Sequence, residues 1–569
     1  MNRKYIRNTA ILFASMTITK IVGAIFKIPL ANVLGGTGMG YFSTAYGLYS
    51  PVFALTAAGI PTVMMRITAQ NIAAGRPGNA VRTRRTAILL FSAVGFLGSL
   101  AVALFAAFFS EHIACSPEST PAVIAIAPAV MLCCIASVIR GYHEGLSDVI
   151  PSAAAAVAEA VSRAAVGLAA AYGVVFWAKG RFERGADILG QYYAEYSEAY
   201  TAALPLAAAG AIAAVSLSEL CGLISLLISD RKRKLPCSPG ESTDSTRTIA
   251  CRLIREIIPV AASALVMNCV SFVDLLTVTR TLRKTALAFP EILSNDPVLL
   301  AQCGGLDGLA NFMYGSYTGI AMTVFMLIPS FAGMTEKTAL PEVAAAWERK
   351  DVDSAAGHCC TLFRAAAAIG FPACAGAAAL AQTILMTLYS RRAAEVSVCT
   401  GAFTILCLGG FFMITASAMF GIFQAIGKAH IPLLLMTASV GIKAVLNPIL
   451  MSVPQLNIAG AALATAAGYI FIAITGSLLL RKHLSPCISV FRCVRKPLVG
   501  SLLCAGCAFL VCSLLPDSLG NLLRTVLSVV SGAVVYGISL IINSDFRRKR
   551  QLIKSRAFFS QKHLKNPQK

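Results

Sequence analysis

Two lysines interrupt an apolar stretch near the start of the sequence. Lys20 and Lys27 lie within residues 16–61, which are predicted to form two apolar helices joined by a Gly-rich hairpin loop. Each helix is long enough to cross a bilayer, for which about 20 residues suffice. An ammonium group there costs about 2.5–3.5 kcal/mol on insertion scales, so such charges are rare and usually functional. Either lysine could instead snorkel to an interface. Our interpretation is a water-filled cavity in which these cations hold an anion.

Carboxylates also fall at membrane depth in the predicted spans. Glu159 and Arg163 are spaced i, i+4 on one helix face, so they could form a self-neutralising structural pair. Glu219 has no partner nearby in the sequence, and Asp274 could pair with a cation from the first half of the chain. A cation-exporting pump would place unpaired carboxylates at this depth, so Glu219 and Asp274 leave ion coupling open.

The cations at membrane depth come from both halves of the chain. Lys20, Lys27 and Arg163 belong to the first half, and Arg66 follows the second predicted span. Lys443 belongs to the second half. Because Lys and Arg are suited to phosphate groups, a site between the halves is predicted to bind a phosphate or pyrophosphate.

The composition indicates an integral membrane protein. Of 569 residues, 57% are hydrophobic and 13% are charged, whereas soluble domains are about 25% charged. The net charge of +22 falls mostly in short loops between apolar segments, which is the positive-inside pattern rather than a nucleic-acid-binding face. The 18 cysteines lie mostly in apolar segments, where they behave as small hydrophobic residues. Because the sequence has no phosphate-binding loop and no His-Glu-x-x-His motif, we expect no enzyme activity, no cofactor and no metal.

Hydropathy predicts an all-α polytopic protein with fourteen transmembrane helices. The basic loops alternate with them so that both termini are predicted to be cytoplasmic in a bacterial cell membrane. The predicted spans are 8–30, 41–65, 86–109, 121–139, 150–175, 205–229, 254–279, 315–334, 360–388, 399–423, 431–451, 457–480, 497–515 and 521–543.

An internal repeat divides the chain into two halves. Residues 141–163, a Gly-rich loop that enters a helix through Ile-Pro and carries one basic residue, recur as 421–443, which matches Arg163 to Lys443. Two six-span lobes that both start in the cytoplasm are parallel repeats about the membrane normal. The predicted domains are an N-lobe at 1–234, a cytoplasmic linker at 235–253, a C-lobe at 254–482, and 483–569 with two further helices and a basic cytoplasmic tail.

The sequence resembles one known family along essentially its whole length, and three motifs carry the resemblance. They are residues 15–61, Arg140-Gly-Tyr-His-Glu-Gly145 and Tyr314-Gly-Ser-Tyr-Thr-Gly319. They resemble the stage V sporulation protein B and MurJ-like lipid II flippase branch of the multidrug/oligosaccharidyl-lipid/polysaccharide (MOP) exporter superfamily. The eighth helix lacks the Asp-Arg pair of the best-known lipid II flippases, and Tyr314–Gly319 stand in its place, as in the sporulation-type branch.

The resemblance implies two six-helix MATE-like lobes in a V around a central cationic cavity. The last two helices would form a groove for a polyprenyl tail. Lys20 matches the family's basic position in the first helix, and Lys27 lies near a second. Arg66 matches the basic residue after the second helix, and Glu159 with Arg163 match the fifth-helix motif.

The predicted function is a flippase for an undecaprenyl-pyrophosphate-linked sugar, a lipid II-like peptidoglycan precursor or a related polysaccharide intermediate. Its partners would be this lipid-linked sugar, membrane lipids and cell-wall synthesis enzymes, with no nucleic acid, and the protein would be a monomer. One alternative is a MATE-type drug/cation antiporter that depends on Glu219 or Asp274. The other is a non-transporting membrane scaffold for cell-wall synthesis, which would tolerate loss of the cavity charges.

Overall fold

The fold is known from a computed structural model, which describes residues 3–231, 244–288, 303, 305–484 and 489–564. No β-strand occurs within these ranges, apart from an isolated bridge between Ile188 and Gln191. The main helices are α1 Arg3–Thr56, α2 Ile60–Ala73, α3 Pro77–Leu104, α4 Thr120–Gly145, α5 Ile150–Glu183, α6 Tyr196–Arg231, α7 Thr246–Ala288, α8 Leu306–Ser316, α9 Met322–Ala332, α10 Met334–Glu348, α11 Val352–Ala379, α12 Ala381–Leu388, α13 Ala393–Ala425, α14 His430–Met451, α15 Asn457–His483, α16 Val490–Leu514 and α17 Asn521–Leu564. A π-helical turn, Tyr317–Ala321, joins α8 to α9.

The predicted number of membrane crossings agrees with the helices. Thirteen stretches in the described part of the chain are long and apolar enough to cross a bilayer. The first of them, Ala14–Ala73, has 60 residues. The non-helical residue Gly35 divides it into two parts, each at least as long as the about 20 residues that cross a bilayer, so it provides two crossings. The fold class is therefore an all-α polytopic membrane protein with about fourteen transmembrane helices, as predicted.

The predicted Gly-rich hairpin loop between the first two spans is wrong. Helix geometry continues through this segment, and the one interruption within α1 is Gly35, with φ 62° and ψ −170°. A positive φ is readily adopted by glycine, so a single residue makes the corner between the two crossings. The neighbouring glycines, Gly36 and Gly40, are helical and serve close helix packing instead.

The described helices form two compact units. The first contains the described residues within 1–327, 389–402 and 433–468, and the second contains those within 328–388, 403–432 and 469–569. In the first unit, a buried cluster from α2, α4 and α7 includes Met64, Cys134 and Leu253. In the second unit, α16 packs on α11 and on α17. The predicted boundaries of an N-lobe, a linker and a C-lobe stay a prediction.

Candidate functional site

Lys20, Lys27 and Arg163 form a cationic cluster in the first unit. The two lysines are seven residues apart on α1, two turns of helix, and so lie on one face. Both side chains are exposed, and the positive charges that act on Lys27 are those of Arg163 and Lys20. Arg163 belongs to α5, which packs on α1 next to this position, since a Cβ atom on Gly167 of α5 would lie 2.7 Å from the Phe26 ring. Neither lysine forms an ion pair with any carboxylate in the described ranges.

The structural pair that the sequence allowed between Glu159 and Arg163 does not form, because each residue binds a neighbouring helix instead. Glu159 Oε1 accepts a hydrogen bond of 2.6 Å from Arg140 on α4. Arg163 Nη2 lies 3.3 Å from Glu219 Oε1 on α6, and Arg163 Nε donates to Ser218 Oγ at 3.2 Å. Cross-helix partners replace the i, i+4 contact because α4 and α6 present complementary charges at the same depth.

The glycine at position 222 makes room for this arrangement. A Cβ atom on Gly222 would lie 2.5 Å from Glu159 Cγ, so any larger residue at position 222 of α6 would displace the Glu159 carboxylate. The four charges of Arg140, Glu159, Arg163 and Glu219 sum to zero. The excess positive charge of the site is therefore carried by Lys20 and Lys27.

Lys443 and Asp274 form a separate, buried ion pair in the first unit. Lys443 Nζ lies 2.6 Å from Asp274 Oδ2, and the two residues are 3% and 6% exposed. Asn447 Nδ2 donates to Asp274 Oδ1 at 3.1 Å and to Thr277 Oγ1 at 2.8 Å. The sequence allowed Asp274 to pair with a cation of the first half, but its partner, Lys443, comes from α14. The part of Lys443 in phosphate binding stays a prediction, and its charge is already neutralised.

Arg66 lies at a pocket of its own. Its Nη2 is 2.5 Å from Glu256 Oε2, and Arg252 contacts the other oxygen of that carboxylate at 2.9 Å. The pocket has a volume of about 650 Å³ and is also lined by Arg255. Arg66 is thus paired with Glu256, and the positive charges that act on Lys27 are those of Arg163 and Lys20, so the predicted contact of Arg66 with the pyrophosphate stays a prediction.

Sequence reasoning missed Arg392 and Glu395, which replace backbone hydrogen bonds that the Gly35 corner breaks. In an unbroken helix the Gly36 N–H would donate to the Asn32 carbonyl. Here Gly36 N donates to Glu395 Oε1 at 3.2 Å, and the Asn32 oxygen accepts from Arg392 Nη2 at 2.9 Å. Charged residues in a short segment between two predicted spans gave no signal, because only the geometry of the corner shows which backbone groups need partners.

Two glycine pairs with GxxxG spacing face each other next to the corner. Gly36 and Gly40 lie on α1, and Gly315 and Gly319 lie on α8 and the π-helical turn. A Cβ atom on Gly315 would lie 2.8 Å from Gly40 Cα, and one on Gly319 would lie 2.8 Å from Met39 Cβ. Small residues at this spacing let helix backbones approach closely. Asn311 Nδ2 closes the contact by donating to the Thr37 carbonyl at 2.9 Å.

Comparisons with known proteins show similarity along most of this chain. The family described as polysaccharide biosynthesis protein matches residues 5–180. Stage V sporulation protein B of Bacillus subtilis is 23% identical over 496 residues, which are 85% of each chain. Lipid II flippase MurJ of B. subtilis is 20% identical over 501 residues, covering 85% of this chain and 84% of the relative.

Two solved structures share the fold. Lipid II flippase MurJ in an inward closed conformation has a TM-score of 0.65 at 13% identity and covers 95% of this chain and 99% of its own. A MATE family multidrug resistance transporter of the MOP superfamily, in an inward-facing conformation, has a TM-score of 0.58 at 15% identity, with coverages of 82% and 94%. The predicted resemblance to the MurJ-like branch is confirmed.

The three motifs on which the resemblance was based have defined contacts in the structure. Two of the three, the opening segment and Tyr314–Gly319, supply the two sides of the glycine contact described above. The third contains Arg140, which binds Glu159. The likeness to MurJ and MATE structures concerns the fold.

No group of three or more His, Cys, Asp or Glu side chains that could hold a metal occurs in the part of the chain that the structure describes.

Proposed function

We propose that this chain is a flippase that moves an undecaprenyl-pyrophosphate-linked sugar from the inner to the outer leaflet of the bacterial cytoplasmic membrane. The observation that carries the proposal is the pair of exposed lysines, Lys20 and Lys27, on a membrane-spanning segment beside Arg163. A pyrophosphate would supply the anion that these lysines lack among the described carboxylates. The names of two relatives, stage V sporulation protein B and lipid II flippase MurJ, support a cell-wall precursor as the cargo.

In this proposal the lysines bind the pyrophosphate and the lipid tail stays in the bilayer. Moving the tail through water would cost about 0.8 kcal/mol for each exposed CH₂ group, so only the polar head passes through the protein. The head would bind from the cytoplasmic side, where both termini are predicted to lie, and leave on the other side after an alternating-access change. No covalent bond of the cargo forms or breaks, so the protein needs neither a catalytic residue nor a cofactor.

The charge pairing weighs against a cation antiporter. Such a transporter would use a membrane-embedded carboxylate that is free to exchange its cation. Glu219 is paired with Arg163, Asp274 with Lys443 and Glu159 with Arg140. A scaffold without transport activity would give no reason for exposed lysines inside a spanning segment, where each carries an insertion cost.

Substitution of both lysines tests the proposal in cells. We expect the Lys20→Gln/Lys27→Gln protein to fail to rescue a bacterium depleted of its lipid II flippases, because glutamine keeps the length and polarity but not the charge. Lys179→Gln is the matched control, since Lys179 forms an exposed ion pair with Glu183 at 3.7 Å. Membrane levels of all variants are measured by immunoblot. Full rescue by the double variant at normal membrane levels would contradict the proposal.

A further inference from the structure

Two thiols from different helices meet in the second unit. Cys360 Sγ lies 2.7 Å from Cys493 Sγ, which is closer than two sulfur atoms in ordinary contact. Cys360 is on α11, and Cys493 is on α16, the first of the two helices that follow the internal repeat. The proposed transport function makes no use of either thiol.

The surroundings of the pair determine which of the two thiols is oxidised first. Cys493 is 4% exposed, whereas Cys360 is partly exposed, so an oxidant in solution reaches Cys360 first. Farther along, α11 is also held to α17, because Tyr536 Oη donates to the Ala368 carbonyl at 2.9 Å. Because α11 also packs directly on α16, joining the two sulfur atoms requires only a small local movement.

We propose that Cys360 and Cys493 are a reversible oxidation site that forms a disulfide when a peroxide is present. Peroxide oxidises the Cys360 thiol to a sulfenic acid and releases one water molecule. The Cys493 thiol then attacks the sulfenic sulfur, an S–S bond forms, and the hydroxyl leaves as a second water. Two thiols lose two hydrogens and two electrons, and the peroxide O–O bond is reduced. A thiol reductant reverses the modification by thiol–disulfide exchange.

The consequence is a covalent tether between α11 and α16. The helices that follow the repeat are held to the rest of the second unit by hydrogen bonds such as the contact of Tyr536 with Ala368. A disulfide fixes that attachment until it is reduced. With both termini cytoplasmic, as predicted, the two helices begin on the cytoplasmic side, where both cysteines lie. Because cytosolic disulfides are usually transient and redox-sensing, this pair suits a sensor of oxidative conditions.

Differential alkylation of the full-length protein in native membranes tests the proposal. Membranes are treated with hydrogen peroxide, free thiols are blocked with N-ethylmaleimide, and the protein is then reduced, labelled with a second reagent and examined by mass spectrometry. We expect Cys360 and Cys493 to carry the second label together, and a disulfide-linked peptide pair to appear before reduction. If both cysteines carry N-ethylmaleimide after peroxide, the proposal is wrong.

Variants separate the proposed pair from general thiol oxidation. In Cys493→Ser, we expect a sulfenic acid at Cys360 that dimedone traps, with loss of the linked peptide. Cys507→Ser is the matched control in α16, because Cys507 makes no hydrogen bond to another thiol within the described residues. It should leave the Cys360–Cys493 link unchanged. A link from Cys360 to another cysteine in Cys493→Ser, at the wild-type yield, would overturn the assignment. These readouts do not depend on flippase activity.

Discussion

At the scale of single residues, the membrane-embedded charges of this protein fall into two groups with different energetics. Lys443, Asp274, Glu159 and Glu219 are held in ion pairs, and a buried pair contributes little net stability because desolvation offsets the attraction. Lys20 and Lys27 are exposed and have no such partner in the described ranges. Loss of a paired residue should therefore damage folding, whereas loss of an exposed lysine should damage binding.

The buried pair gives a direct test of this distinction. We expect Lys443→Ala to lower the free energy of unfolding by about 3–5 kcal/mol, because it leaves the Asp274 carboxylate without its compensating charge. Lys179→Ala, which breaks an exposed pair, should cost less than about 1 kcal/mol. Denaturant unfolding of the purified protein in micelles measures both. Replacing Lys443 and Asp274 together by leucine should recover most of the loss, and equal stability of the two alanine variants would refute the account.

The depth and sign of these residues could be predicted from the sequence, but their partners could not. A sliding hydropathy window locates a charge such as Glu219 in a span, because the average over the window depends only on which residues it contains. The partner depends on which helix faces which, and this is set by packing between distant segments. For this reason the sequence offered a local Glu159–Arg163 pair as one alternative, whereas the structure pairs Glu159 with Arg140.

At the scale of elements, the corner at Gly35 depends on side chains from distant segments. Arg392 donates to the Asn32 and Val33 carbonyls, and Tyr200 Oη donates to Val33 at 2.5 Å. A buried backbone carbonyl without a partner costs about 1–3 kcal/mol. The corner is therefore stable only when the segment before α13 is in place.

Substitution of Arg392 tests this dependence. We expect Arg392→Ala to increase amide hydrogen exchange in residues 33–38 and to lower stability by about 1–3 kcal/mol, because the Asn32 carbonyl loses its donor. The adjacent Arg391 is exposed and provides the matched control Arg391→Ala, which should leave exchange there unchanged. Hydrogen exchange with mass spectrometry in detergent or nanodiscs gives the comparison. Identical exchange in both variants would show that Arg392 does not hold the corner.

The glycine contact between α1 and α8 is tested by adding one methyl group. In Gly315→Ala, the new Cβ would lie 2.8 Å from Gly40 Cα, and backbone cannot move aside as a flexible side chain can. We expect a loss of about 1–3 kcal/mol in the free energy of unfolding. Gly173→Ala on α5 is the control, because nothing lies within 4 Å of its added Cβ. There, alanine should be neutral or stabilise by about 0.4–1 kcal/mol. An equal response at the two glycines would contradict close packing.

At the scale of the whole molecule, the fourteen crossings could be predicted because hydrophobic length alone determines how many segments cross a bilayer. The Gly-rich segment near residue 35 was predicted as a loop, since glycine favours turns and close helix packing alike. Only the contact with Gly315 distinguishes these uses.

The cationic cluster and the pair of Lys443 with Asp274 lie in the first compact unit, and the Cys360–Cys493 pair lies in the second. The predicted lobe boundaries stay a prediction.

The central claim is that Lys20 and Lys27 bind the pyrophosphate of a lipid-linked sugar during its transfer between leaflets. The most direct measurement uses liposomes that contain the purified protein and labelled lipid II. A reagent that cannot cross the membrane reports over time how much lipid II lies in the outer leaflet. We expect the wild-type and Lys179→Gln proteins to move lipid II from the inner leaflet to the outer one. Lys20→Gln/Lys27→Gln should slow this transfer to the rate of protein-free liposomes. Transfer by the double variant at the wild-type rate would contradict the account.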